Sequence, residues 1–119
     1  MERVNGPTSW VSPVVSAPKA SGDIRLCVDM REANAAIICE RIPIPTVDEV
    51  LENLKGSTMF SKLDLRLGFH QIELDKDSRD ITTFTTHDGL FRYKRLSFGV
   101  NSAPEKYQQI VRQVVSDIL

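Results

Sequence analysis

The stretch FSKLDLRLGFHQIEL, Phe60 to Leu74, sets a single carboxylate, Asp64, between Leu63 and Leu65. A strand packed on one face alternates apolar and polar residues, so Asp64 has a simple reading as a water-facing member of a half-buried strand. Hard oxygen donors also suit a divalent ion such as magnesium. A two-ion site, however, needs carboxylates that converge from separate parts of a chain around ions roughly 3.5–4 Å apart. Composition and spacing alone therefore leave a solvated or structural Asp64 as the simpler reading. Phe69 follows five residues later, and five residues of straight strand span roughly 17 Å. Asp64 and Phe69 can serve one small ligand only if the chain bends between them, which Gly68 permits. Phe69 is then an aromatic wall beside the carboxylate, and otherwise an ordinary core aromatic.

Outward from this stretch, STMFSKLDL reads as a strand. The preceding TVDEVLENLKG reads as a helix with a capping box, Thr46 to Glu49, an apolar face of Val47, Val50, Leu51 and Leu54, and Gly56 as its stop. Before it, RIPIP is an extended link and MREANAAI a short helical turn. Pro7, Pro13 and Pro18 confine the first stretch to extended, edge-type structure. VVSAPK and IRLCVD pair as a hairpin around SGD, with Lys19 and Arg25 near its tip. Downstream, ITTFTT and LFRYKRLS form two strands around the turn HDG. A last helix starts with Ser102, Pro104 and Glu105, a second capping signal. It carries Tyr107, Ile110, Val111, Val114, Val115 and Ile118 on one face and runs to Leu119 without a C-cap, the pattern of a truncated chain.

The 119 residues, 41% hydrophobic and 26% charged, describe one ordinary globular domain or a piece of one. No stretch approaches a transmembrane span, and MERVNGPTSW lacks the features of a secretion signal, so an intracellular setting is expected. Cys27 and Cys39 are too few for a disulfide framework and have no zinc-ligand spacing with His70 or His87. A net charge of -1 excludes nucleic-acid coating by bulk electrostatics. Local basic clusters remain at Lys19/Arg25/Arg31 and at Arg92/Lys94/Arg95. The loop SFGVNSAP places Gly99 ahead of a helix start, where free backbone donors could meet a phosphate or a base.

In ordered blocks the chain resembles the reverse transcriptases of gypsy-type long-terminal-repeat retrotransposons. WVSPVVSAPKASGDIRLCVDMREAN resembles the fingers segment, RIPIPTVDEVLENLKGSTMFSKLDLRLGFHQIEL the first palm segment, and THDGLFRYKRLSFGVNSAPEKYQQIV the next one. The resemblance implies an α+β fold, antiparallel strands with helices on one face. It implies a fingers-type segment over about 1–57 and a palm-type segment over about 58–119. It also implies a catalytic Asp64 that holds two magnesium ions with the Leu65 carbonyl, and deoxynucleotide binding by Lys19, Arg25, Leu65, Phe69, Phe98 and Gly99. Phe69 would exclude the ribose 2'-hydroxyl, while Arg31, Asn34 and Gln108 would lie on the template-primer side. The implied partners are an RNA or DNA template with its primer, deoxynucleoside triphosphates, and the remaining palm, thumb and ribonuclease H regions. Leu67 departs from the small residue usual there, and Glu105 and Lys106 vary from the commonest form. The family's second motif, two adjacent aspartates, is not in the sequence, so the chain is expected to be inactive alone. A non-catalytic nucleic-acid-binding remnant is the alternative, and a decayed remnant without a role is the bland one.

Overall fold

The structure, a computed structural model, describes residues 1–118. Strands β2 (Val14–Pro18) and β3 (Ile24–Val28) form the expected antiparallel hairpin. Its turn is closed by the Lys19 N–H on the Asp23 carbonyl at 2.7 Å and the Gly22 N–H on the Lys19 carbonyl at 3.0 Å. Gly22, at φ +88, takes a conformation that side chains with a Cβ disfavour. Helix α1 (Arg31–Ala36) follows at once, and α2 (Val47–Leu54) closes both arms of its capping box between Thr46 and Glu49.

A second sheet has the order β1 (Glu2–Arg3), β5 (Gly89–Arg92), β4 (Phe84–Thr86), all antiparallel. Ser12 joins it to the hairpin: its N–H donates to Thr83 O at 2.9 Å and its carbonyl accepts from the Thr85 N–H at 3.1 Å. Helix α3 (Ala103–Ile118) closes the chain, and Leu119, the end of the expected helix, lies outside the described residues.

Three expectations are corrected. The segment STMFSKLDL is not a strand: it has no ladder partner among the described residues, and Met59 and Leu63 stand exposed. The front of ITTFTT turns into a short 3-10 segment, Asp80–Thr82, because threonine hydroxyls capture the backbone. Thr82 Oγ1 donates to Arg79 O and Thr83 Oγ1 to Asp80 O, each at 2.6 Å. At the start of α3, Ser102 and Glu105 do not close a capping box, and Glu105 Oε2 is buried without a partner.

The buried apolar core is small: Met30, Ala33, Phe84, Leu96 and Ala103. The accessible surface is 9527 Å², against about 6,500 Å² for a compact protein of this mass. The radius of gyration, 17.5 Å against about 13.5 Å, agrees. The surplus lies on apolar faces: α2 buries no residue, and Ile110, Val114, Val115 and Ile118 of α3 face outward.

An ion network ties the N-terminus to the second sheet. Arg92 engages both Glu2 and Asp80, and Arg79, largely buried, reaches Glu73 at 3.0 Å. The Arg92 hydrogen bond holds the Glu2 carboxyl below its usual range. A depressed folded pKa adds stability above the unfolded carboxylate range, lost as pH falls through the folded value. Thermal unfolding followed from pH 7 into the acid range should therefore show a descending Tm that flattens in Glu2→Gln.

Candidate active site

The chain turns sharply after Asp64 and Leu65, but not where glycine suggests. Leu67 takes the left-handed region at φ +51, a strain on the order of 1–2 kcal/mol for a residue with a Cβ, while Gly68 is right-handed helical. Phe69–Gln71 then form a 3-10 turn, with the side chain of Gln71 donating to Arg66 O at 2.8 Å. Gly68 is required for another reason: a Cβ there would lie 2.7 Å from the Tyr107 hydroxyl and 3.0 Å from its Cζ. The tyrosine of α3 thus lies flush against the backbone beside Phe69. Gly68→Ala should cost about 1–3 kcal/mol as an overpacked site. Tyr107→Phe in the same chain should return part of that loss, as read by urea unfolding midpoints.

Phe69 meets Phe98 edge-on at 4.9 Å between ring centroids and Tyr107 edge-on at 5.2 Å. From Phe98 the rings continue through His70 and Tyr93 to Phe84 and Phe91, an aromatic path from this wall into the second sheet. Such edge and offset contacts add about 0.5–1.5 kcal/mol each beyond area burial. The His70 ring is fixed by Nδ1 at 3.0 Å from Leu96 O. Burial pushes the Tyr93 phenol up, with Cys27 adding to the shift. Sequence reasoning missed Tyr107 and His70 as contributors, and it gave Gly68 a bend rather than the Tyr107 contact. A lone aromatic one position before Gln108 on an otherwise aliphatic helix face was the available signal.

Gly99, beside Phe98, has φ +92, and a Cβ there would stand 3.4 Å from Met30 Cγ. Its carbonyl accepts from Asn34 Nδ2 at 2.7 Å, so the structure brings Asn34, Phe98, Gly99 and Phe69 together. Lys19 and Arg25 lie exposed on the hairpin, Arg25 opposite Ala17 and on the strand face of Cys27. Arg31 is paired with Asp29 at 2.6 Å, a contact that holds the Asp29 carboxyl low. Gln108 lines a groove between α3 and Ile42–Pro43 with Arg112 and Ser116. Of the second basic cluster, Arg92 is taken by Glu2 and Asp80, and Arg95 donates to Gln71 O.

Asp64 lies exposed, and the described residues contain no group of three or more His, Cys, Asp or Glu side chains placed to hold a metal ion. A two-ion site asks for more carboxylate oxygens than Asp64 and one backbone carbonyl offer. The described residues alone therefore do not fit the magnesium pair that the resemblance implies. No described helix is long and apolar enough to cross a membrane.

With this geometry in view, the comparisons are specific. The family described as "Reverse transcriptase (RNA-dependent DNA polymerase)" matches residues 17–119. The retrovirus-related Pol polyprotein from transposon 412 of Drosophila melanogaster is 41% identical, over 93% of this chain and 10% of its own length. The Pol polyprotein from transposon 297 of the same species is 39% identical, over 97% and 11%. The chain thus spans about a tenth of the length of these curated relatives. Among solved structures, prototype foamy virus protease-reverse transcriptase, a selenomethionine-labelled mutant, superposes with a TM-score of 0.76 at 24% identity, covering 96% of this chain and 15% of that one. A foamy viral protease-reverse transcriptase in complex with double-stranded DNA gives 0.71 at 23% identity, covering 97% and 19%. The α+β architecture, the ordered sequence blocks and these relatives agree: the chain belongs to the reverse transcriptase family, the RNA-directed DNA polymerases.

Proposed function

We propose that this chain is the nucleotide-facing part of a gypsy-type retrotransposon reverse transcriptase, working inside the cell on an RNA or DNA template with its primer. Residues 1–57 serve as the fingers-type segment and 58–119 as the palm-type segment. The observation that carries this reading is the aromatic wall: Phe69, five residues past Asp64, held edge-on by Phe98 and Tyr107. A flat apolar ring fixed on two sides suits steric exclusion of a 2'-hydroxyl, so Phe69 selects deoxynucleotides. Lys19 and Arg25 meet the triphosphate from the hairpin, Arg25 as a planar fork. Phe98 and Gly99 border the nascent base pair, and Arg31, Asn34 and Gln108 lie toward template and primer.

Asp64 and the Leu65 carbonyl are this chain's contribution to a divalent-ion site. When bound, magnesium supplies charge stabilisation for phosphoryl transfer. No step of that transfer is assigned to the described residues alone, and the chain is inactive until further carboxylates join Asp64. A binding remnant acting through Arg25, Arg31 and the Arg92–Arg95 cluster has less support, since Arg31 is paired with Asp29 and Arg92 with Glu2 and Asp80.

The test is primer extension by the purified chain and by a chimaera in which it replaces the matching segment of the transposon 412 polyprotein. Extension is expected from the chimaera and none from the chain alone. A folded chimaera that copies no template sinks the reading, and extension by the chain alone sinks its claim of dependence.

A further inference from the structure

Phe98 is 62% exposed, so burial does not fix its ring. The backbone around it is not in a ladder either. Beside its ring contacts, the loop that carries it is gripped by a side-chain amide from α1. Asn34 Nδ2 donates to Gly99 O at 2.7 Å, and Asn34 Oδ1 accepts from the Asn101 N–H at 2.9 Å. In return Asn101 Nδ2 donates to the Asn34 carbonyl at 3.2 Å. The amide grips a carbonyl and an N–H two residues apart, as a neighbouring strand would. These three bonds bridge 65 to 67 residues of sequence. On one side, α1 continues directly from the hairpin that carries Lys19 and Arg25. On the other, the gripped loop carries Phe98 against Phe69.

We infer that Asn34 is a positioning residue: it sets the angle at which Phe98 meets Phe69 and so couples the hairpin to the aromatic wall. Its value to nucleotide selection rests on the function proposed above; its effect on the rings does not. Met30 supports the same clamp from below, since its Cγ fills the space that a side chain at 99 would need. No other donor among the described residues reaches the Gly99 carbonyl, so loss of the Asn34 amide removes the polar restraint on the loop at its positive-φ glycine. Asn101→Ala makes a graded comparison, because it removes only the returning bond and keeps the backbone N–H on Asn34 Oδ1.

The experiment is nuclear Overhauser contact between phenylalanine rings in the whole chain, with Phe84–Phe91 as an internal gauge of folding. In Asn34→Ala the Phe98–Phe69 contact should fall at least about fivefold while Phe84–Phe91 is unchanged, and Asn101→Ala should fall less. Asn34→Asp, which keeps the acceptor for Asn101 but replaces the donor to Gly99 by an oxygen, provides the result if the alanine variant fails to fold. It should also lose the ring contact. A Phe98–Phe69 contact at wild-type strength in a folded Asn34 variant overturns the inference. An inactive chimaera would remove the polymerase reading but leave this ring measurement standing, so the two failures are distinguishable.

Discussion

Phe84→Ala is expected to cost about 3–5 kcal/mol and to leave much of the chain unfolded at 25 °C. Phe84 is 1% exposed and is the largest fully buried side chain. It pairs with Phe91 across the β4–β5 ladder, packs on Tyr93 at 5.3 Å, and sits at the Ser12 bridge that joins the two sheets. Small domains hold only about 5–15 kcal/mol in total. With five residues making the buried apolar core among the described residues, little else takes up the loss. Circular dichroism through a urea titration checks this, with Leu51→Ala on the exposed face of α2 as a comparison expected within about 0.5 kcal/mol of the parent. A Phe84→Ala midpoint equal to that of Leu51→Ala would show that the core lies elsewhere.

In the active chimaera, Asp64→Asn should lower the extension rate by more than about 100-fold, the upper end for removal of a residue that merely supports a metal ligand. The substitution keeps the size, removes the charge and turns one acceptor oxygen into a donor nitrogen, so it withdraws an anionic ligand with little change of volume. Asp64 is exposed and takes part in no side-chain hydrogen bond or ion pair among the described residues, so no loss of stability should accompany the loss of rate. Equal unfolding midpoints with unequal rates separate chemistry from folding. Equal rates would remove Asp64 from the catalytic assignment.

The sequence made the local elements legible and left the long-range ones obscure. Thr46 and Glu49 announced α2, and the prolines with SGD announced the β2–β3 hairpin, because caps and turns are satisfied by residues three or four apart. STMFSKLDL shows strand alternation, but a strand exists only with a partner for its N–H and C=O groups, and pattern cannot supply one. The threonines at 82 and 83 read as strand formers, yet their hydroxyls took the carbonyls three residues back. At the candidate site, Phe69, Phe98 and Gly99 were singled out from sequence and are found in one cluster. The bend was assigned to Gly68 from the conformational freedom of glycine, whereas Leu67 carries the positive φ. Gly68 instead answers to Tyr107, and nothing in a linear reading connects positions 39 residues apart.

That contact also constrains how this sequence can drift. With the Tyr107 hydroxyl against the backbone, an alanine at 68 costs least in a lineage that has already shortened the tyrosine. The reverse order passes through a less stable intermediate, so the two positions show order-dependent epistasis. Phenylalanine at 107 removes the shortest contact but leaves ring carbons at 3.0 and 3.1 Å, so it is a partial first step, and a survey of relatives should find alanine at 68 mainly where 107 lacks the tyrosine.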